Sequence, residues 1–185
     1  QICEAVVEFI SELFGMFDDL TDLHEVYKVE TVGDAYIAAQ AEQPLTGRNS
    51  PLRVLLFGLD VVKATHQWSR KRGEAVSCRV GIHFGECIGG IVGTDMQRYH
   101  LFGALMTGLE VLESTAPRGR VQVSSACKAA VERNAREEQV PMDGVIFEAR
   151  ADPVLQTSKG EVHEYGEVGG PTFIIRDYAR VGLHY

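Results

Sequence analysis

The sequence predicts an α+β domain: one ferredoxin-like sheet with helices packed on one face. Three observations lead there. Two long segments repeat apolar residues at three- to four-residue spacing, several short segments alternate apolar with polar residues, and two alternating segments meet at Gly33-Asp34, a two-residue hairpin connection. Helices interleaved with hairpin-linked strands build a sheet covered by helices. A chain of 185 residues is long enough to bury roughly 70% of its unfolded surface without staples.

The elements follow in order. Val6, Ile10, Leu13, Phe14 and Phe17 recur with helical period, with Glu8, Glu12, Asp18 and Asp19 between them. Glu25–Val32 alternates as a strand, Gly33-Asp34 turns, and Ala35–Ala39 returns. Residues 40–52 form a loop carrying Pro44, Gly47, Asn49 and Pro51. A helix is expected from Leu52 to Arg72, with Leu55, Leu56, Leu59, Val61 and Val62 inside. Arg70, Lys71 and Arg72 suit its negative end, and Gly73 stops it. Val76–Phe84 and the glycine-rich Cys87–Val92 read as strands, and Leu101–Glu113 as a helix ended near Pro117. Arg120–Ser124 is a strand, and Ser125 is the expected N-cap of a helix running to about Glu138. Short strands are expected near Val145–Ala149, Glu161–Tyr165 and Thr172–Ile175.

Composition narrows the function. Apolar residues are 45% and charged residues 24% of the chain, a globular balance. The net charge of −8 with no basic tract argues against a nucleic-acid or anionic-membrane partner. No apolar run reaches the ~20 residues of a membrane span, and no signal peptide is visible. Cys3, Cys78, Cys87 and Cys127 lie far apart without zinc-site spacing, so reduced thiols in a cytoplasmic setting are expected. The chain begins with Gln1, which suits a piece of a longer polypeptide, such as the cytosolic domain of a larger protein.

Two stretches are distinctive: Tyr27-Lys28-Val29-Glu30-Thr31-Val32-Gly33-Asp34-Ala35-Tyr36, and Arg79-Val80-Gly81-Ile82-His83-Phe84-Gly85-Glu86 continuing through Gly90-Ile91-Val92-Gly93 to Arg98-Tyr99-His100-Leu101-Phe102-Gly103. Together they resemble the catalytic domain of the class III nucleotide cyclases, most of all its guanylyl cyclase branch. The likeness is good from Val6 to Ser124 and thinner to about Ile175. It implies a cyclase-type domain over 1–175 and a tail over 176–185 that matches nothing in the family. It also implies a phosphorus–oxygen lyase that forms cGMP and pyrophosphate from GTP at a two-metal site holding Mg²⁺ or Mn²⁺.

The resemblance assigns roles residue by residue. Asp34 matches one of the family's two metal-binding aspartates; read alone, it is a plain turn residue. Glu30 matches the base-reading glutamate that accepts from guanine N1 and N2, which favours GTP over ATP; read alone, it is a solvated strand residue. His100 stands at the second base-reading position, where the branch usually has Cys and adenylyl cyclases have Asp. His83 is a framework residue in the family, Trp68 reads as packing, and Gly89, Gly90 and Gly93 read as close strand packing, since no Walker motif is present.

The departures are as informative. The helix after Phe102-Gly103 normally carries an Asn and, four residues on, an Arg on the same face for ribose and phosphate. Those positions are Thr107 and Val111 here, and Ala104 replaces a short polar residue. Losing such a donor costs about 10²–10³ in rate. The lysine hairpin that holds the triphosphate aligns with Tyr165-Gly166-Glu167-Val168, and Glu161, Glu164 and Glu167 make that stretch acidic. The family's first strand, with its metal aspartate, is not in this chain. The resemblance therefore implies the metal-donating half of a dimeric guanylyl cyclase, silent alone and active with a second cyclase domain that supplies Asn and Arg. The alternative is a catalytically inactive domain used for dimerisation, regulation or scaffolding.

Overall fold

The computed structural model describes residues 2–42 and 45–176. Pro44 of the expected loop and residues 177–185 of the expected tail lie outside the described residues. In chain order the elements are α1 (Ile2–His24), β1 (Tyr27–Val32), β2 (Ala35–Ala39), α2 (Pro51–Arg72), β3 (Val80–Ile82), β4 (Ile88–Val92), β5 (Arg98–Phe102) and α3 (Ala104–Ser114). They continue with β6 (Val121–Ser124), α4 (Ser125–Glu137), β7 (Ile146–Ala149), β8 (Leu155–Gln156), β9 (Val162–His163), a 3-10 turn (Tyr165–Val168) and β10 (Thr172–Arg176). The class is α+β. Among the described residues the strands lie in a four-stranded sheet, β3-β6-β10-β7, and three two-stranded ladders, β1-β2, β4-β5 and β8-β9. The chain divides into two compact units, residues 1–77 with 91–100, and residues 78–90 with 101–185.

In the first unit, α1 packs on α2 through aromatic and ionic contacts. Phe9 meets Trp68 edge-on with centroids 5.6 Å apart. Glu12 accepts from the Trp68 indole at 2.9 Å and pairs with Arg72, whose guanidinium lies over both rings. The Arg72 and Trp68 hydrogen bonds hold the Glu12 carboxyl below its usual range. α2 ends at Gly73, which takes φ 70° and donates to the Ser69 carbonyl, as a C-terminal glycine should. Its inner face differs from the expected stripe: Leu55, Leu59 and Val61 are buried, but Leu56 and Val62 are only half-buried, and Leu52, Phe57, Thr65 and Trp68 join the core.

β1 and β2 are antiparallel, with Val32 opposite Ala35, so Gly33 and Asp34 form the whole connection. Gly33 at φ 60° supplies the positive φ that such a turn needs. A bulge falls between Lys28 and Glu30. α1 covers this hairpin: Phe14 and Phe17 meet Tyr36 edge-on, at 5.3 and 5.6 Å between centroids.

In the second unit, β6 is buried at every residue, between parallel β3 and antiparallel β10. α3 lies so close on β3 that a Cβ on Gly81 would sit 2.5 Å from the Glu113 backbone nitrogen. Gln122 of β6 donates to the Leu112 carbonyl at 3.1 Å and to Thr115 Oγ1 at 2.9 Å. Arg150 donates to the Thr115 carbonyl at 2.7 Å and to Gln122 Oε1 at 2.8 Å. These bonds satisfy carbonyls that the end of a helix leaves without intrahelical donors.

Several boundaries differ from the sequence expectations. The strand expected over Val76–Phe84 shrinks to Val80–Ile82. Arg98–Phe102 is a strand, not loop and helix start; Gly103 at φ 125° breaks the chain there, and α3 begins at Ala104. The N-cap of α4 is Ser124, not Ser125: its hydroxyl accepts from the Cys127 backbone N–H at 3.1 Å. Leu155–Gln156 is an additional short strand. The strand expected over Glu161–Tyr165 is reduced to Val162–His163, because Tyr165 opens the 3-10 turn.

Candidate functional site

The β1-β2 hairpin carries two of the expected residues. Asp34 lies at its turn, exposed, between exposed Gly33 and Ala35. Glu30 follows the bulge in β1, and its two carboxylate oxygens lie 3.3 and 3.2 Å from His100 Nδ1 on β5. Both side chains are half-buried. Tyr27 and Tyr99 meet edge-on at 6.5 Å beside them. The structure thus brings Glu30 and His100 side by side. A carboxylate only accepts, so the imidazole N–H at Nδ1 donates to Glu30 and the two side chains hold each other.

The bulge decides which way these side chains turn. Strand alternation would put Lys28 and Glu30 on one face, and an extra residue between them breaks that rule. Lys28 instead reaches Asp18 of α1, with Nζ 2.7 and 3.0 Å from its carboxylate oxygens, and the Tyr36 hydroxyl donates to Asp18 at 2.6 Å. Partial burial pushes the Asp18 carboxyl up, but the Lys28 and Tyr36 hydrogen bonds outweigh it and hold the group low. Burial, with the Asp18 carboxylate beside it, pushes the Tyr36 phenol well above its ordinary value. This triad was not anticipated. Its only sequence signal is the presence of Lys28 and Tyr36 within the distinctive stretch, which does not point to Asp18.

Thr107 and Val111 both lie on α3, with opposite fates. Thr107 is exposed. Val111 is 4% exposed and belongs to a closed apolar cluster with Leu112, Leu155 and Val168, against which Tyr165 packs. The four-residue spacing does not give them a shared surface, because Val111 is drawn into the core. Tyr165–Val168, aligned above with a lysine hairpin, is a 3-10 turn closed by a capping box between Glu164 and Glu167. Glu167 also pairs with His163 at 3.1 Å. Those hydrogen bonds, the one from His163 first, hold its carboxyl below the usual range. Glu164 and Glu167 thus take part in the local folding of the turn.

His83 packs against Gly108 of α3, where the Glu167 carbonyl also approaches. Its Nδ1 is 2.8 Å from the Ser124 hydroxyl, and burial lowers its pKa. A Cβ on Gly108 would lie 2.8 Å from its Nε2. His83 is thus closely packed, with its Nδ1 against Ser124 and its ring against Gly108.

No three His, Cys, Asp or Glu side chains converge on a metal-sized space among the described residues. Asp34 offers a single carboxylate, so the described residues do not by themselves make a two-metal site.

The comparisons with known proteins agree on the family. The family model for the adenylate and guanylate cyclase catalytic domain matches residues 1–165. The chain belongs to the class III nucleotide cyclases. The cyclase domain is 35% identical over 130 residues to guanylyl cyclase C of Rattus norvegicus, covering 69% of this chain and 12% of that protein. It is 35% identical over 128 residues to guanylate cyclase D of Mus musculus, covering 68% of this chain and 12% of that protein. The chain thus spans about an eighth of the relatives it matches. In fold, the cyclase domain is similar to the guanylate cyclase domain from Catenaria anguillulae solved with GTP, at TM-score 0.69 and 20% identity over 91% of this chain and 81% of that one. It is also similar to the adenylyl cyclase CyaB from P. aeruginosa, at TM-score 0.72 and 16% identity over 97% and 86% of the two chains. No helix of the cyclase domain is long and apolar enough to cross a membrane among the described residues.

Proposed function

We propose that this cyclase domain is the metal-donating half of a dimeric guanylyl cyclase. The observation that carries the reading is an asymmetry in the expected set. Asp34 is exposed at the hairpin turn, while Val111 is packed in an apolar cluster with Val168, the buried residue of the Tyr165–Val168 turn. A chain built so can present a carboxylate but offers no cation at position 111 or in the Tyr165–Val168 turn. A second cyclase domain has to bring the Asn and Arg. The guanylyl cyclases among its relatives support GTP as substrate.

In the reaction so assigned, the ribose 3′-oxygen bonds to the α-phosphorus and the bond to the pyrophosphate oxygen breaks. Cyclic GMP forms, pyrophosphate leaves and the hydroxyl proton is released. Mg²⁺ or Mn²⁺ is the cofactor this reading requires, supplying charge neutralisation at the phosphates, and Asp34 is the ligand this chain offers. A second reading, a catalytically silent domain kept for dimerisation or regulation, is favoured by the closed cluster around Val111 alone.

The test is cyclic nucleotide formation from GTP and from ATP with Mn²⁺. The domain is assayed in its natural polypeptide, alone and mixed with a guanylyl cyclase domain that has Asn and Arg but lacks the metal aspartates. Product from GTP only in the mixture, lost by at least about 10²-fold in Asp34→Ala, is the expected outcome. A mixture that associates without forming product refutes the reading in favour of the silent domain.

A further inference from the structure

The 3-10 turn Tyr165–Val168 is folded onto α3. Val111 (4% exposed), Leu112 (0%), Leu155 (0%) and Val168 (1%) close on one another, and Tyr165 packs against them. The approach is tight. A Cβ on Gly108 would lie 3.3 Å from the Glu167 carbonyl oxygen, so the turn reaches the backbone of α3. The turn is also tied down at several points. The Tyr165 hydroxyl donates to the Asp152 carbonyl at 3.0 Å. The Glu164 N–H donates to the Glu167 carboxylate at 2.7 Å, and His163 pairs with that same carboxylate. The Gly170 N–H donates to the Tyr165 carbonyl at 2.8 Å. A movable lid has few buried contacts and few internal backbone bonds; this turn, though Gly166 and Glu167 are exposed, is anchored by buried Val168 and by its own backbone hydrogen bonds.

We propose that Tyr165–Val168 is a permanently docked latch that closes this face of α3 to a polyphosphate, so that a cation restored at position 111 alone creates no phosphate site. The inference deepens, and rests on, the reading that this chain lacks the phosphate side. A guanidinium at 111 would lie among Leu112, Leu155 and Val168, a buried charge without a partner. The nearest acidic groups of the turn, Glu164 and Glu167, are engaged with each other, and they would repel the incoming anion. The loss of phosphate binding is thus not a single missing arginine. It is a rebuilt contact between α3 and the Tyr165–Val168 turn.

Two measurements on the full chain test the latch. Amide hydrogen exchange reads the Glu167, Gly169 and Gly170 N–H groups, each bonded within the turn at 2.8–3.2 Å. They are expected to exchange within about tenfold of the α3 amides, and Val168→Ala is expected to speed them by about tenfold, for the loss of two buried methyl-sized groups. Exchange at unprotected rates, or no effect of Val168→Ala, overturns the proposal. In the second measurement Val111→Arg is titrated calorimetrically with inorganic triphosphate. No saturable binding at millimolar concentration is expected, and saturable binding overturns the latch. If Val111→Arg does not fold, the exchange experiment still decides. Neither readout depends on cyclic nucleotide formation, so failure of the latch and failure of the half-site reading are seen separately.

Discussion

Gly81→Ala is the sharpest probe of how α3 is held. A Cβ built there would lie 2.5 Å from the Glu113 nitrogen, 2.9 Å from the Glu113 Cα and 2.9 Å from the Leu112 carbonyl carbon. All three are backbone atoms of one helix, and ordinary contact begins near ~3.5 Å. β3 and α3 must therefore separate by roughly 1 Å, and no side chain can turn aside. Overpacking of this kind costs about 1–3 kcal/mol. The smaller entropy of the unfolded alanine chain returns only about 0.5–1 kcal/mol. The net expectation is a loss of about 1 kcal/mol, which at a urea slope of about 2 kcal/mol/M lowers the midpoint by about 0.5 M. Urea unfolding followed by far-UV circular dichroism reads this directly. Gly108→Ala is the internal comparison. Its added Cβ meets the His83 ring at 2.8 and 2.9 Å and the Glu167 carbonyl at 3.3 Å. The ring can turn, and alanine in a helix regains about 1 kcal/mol, so its midpoint should fall less. A Gly81→Ala midpoint at or above the parent's, or a larger fall in Gly108→Ala, refutes the reasoning that unyielding backbone sets the cost.

Three further outcomes are expected. Burial lowers the His83 pKa below its ordinary 6.5, so the unfolded chain binds the proton more readily; stability is full above about pH 6.5 and falls as the pH drops through that value. The urea midpoint of the parent should accordingly decline more between pH 7.5 and 5.5 than that of His83→Gln, and equal declines would exclude His83 as the cause. Cys127 is 2% exposed and burial pushes its thiol up to about 12, whereas Cys87 is exposed; a thiol reagent at pH 8 should label Cys87 quickly and Cys127 only on unfolding, as peptide mass mapping would show. Arg150→Met strips the Thr115 carbonyl and the buried Gln122 amide of a donor and should cost about 2–3 kcal/mol in urea unfolding; an unchanged midpoint would mean that water replaces the guanidinium without loss.

Local chemistry was legible in the sequence where one short stretch settles the geometry. Gly33-Asp34 could only be a hairpin turn, because the residues on either side alternate and a glycine is there to take φ 60°. The stop at Gly73 and the core position of Trp68 were legible for similar reasons. Arg98–Phe102 was misread because Leu101 and Phe102 also fit the apolar spacing of the helix that follows; only the backbone break at Gly103 separates the two elements. The N-cap of α4 was displaced by one residue because Ser124 and Ser125 are chemically equivalent as caps, and pairing of β6 with β3 and β10 decides which one leaves the strand. The bulge in β1 leaves no mark in composition, so nothing in the sequence sends Lys28 to Asp18 and Glu30 to His100.

The site residues divide along the same line. Glu30 and Asp34 belong to a hairpin whose conformation is settled within a dozen residues, and a family motif read there transfers with its geometry. Val111 and Tyr165–Val168 are more than fifty positions apart in number, and each alone looks like an isolated loss of a charged residue. Their meeting in one cluster with Leu112 and Leu155 is a tertiary fact. It changes what the substitutions mean. An exposed valine in place of an arginine would leave a phosphate site one cation short, and a single reversion could restore it. A valine that shares a core with the tail turn contributes to folding, since a buried valine of this kind is worth about 1.5–3 kcal/mol, so reversion sets a charge against the packing of the whole contact. Drift in an active homodimer would leave the phosphate side short of a charge but still open. On the proposed reading, a chain packed in this way does not use that side, whether its partner supplies it or the reaction has been given up.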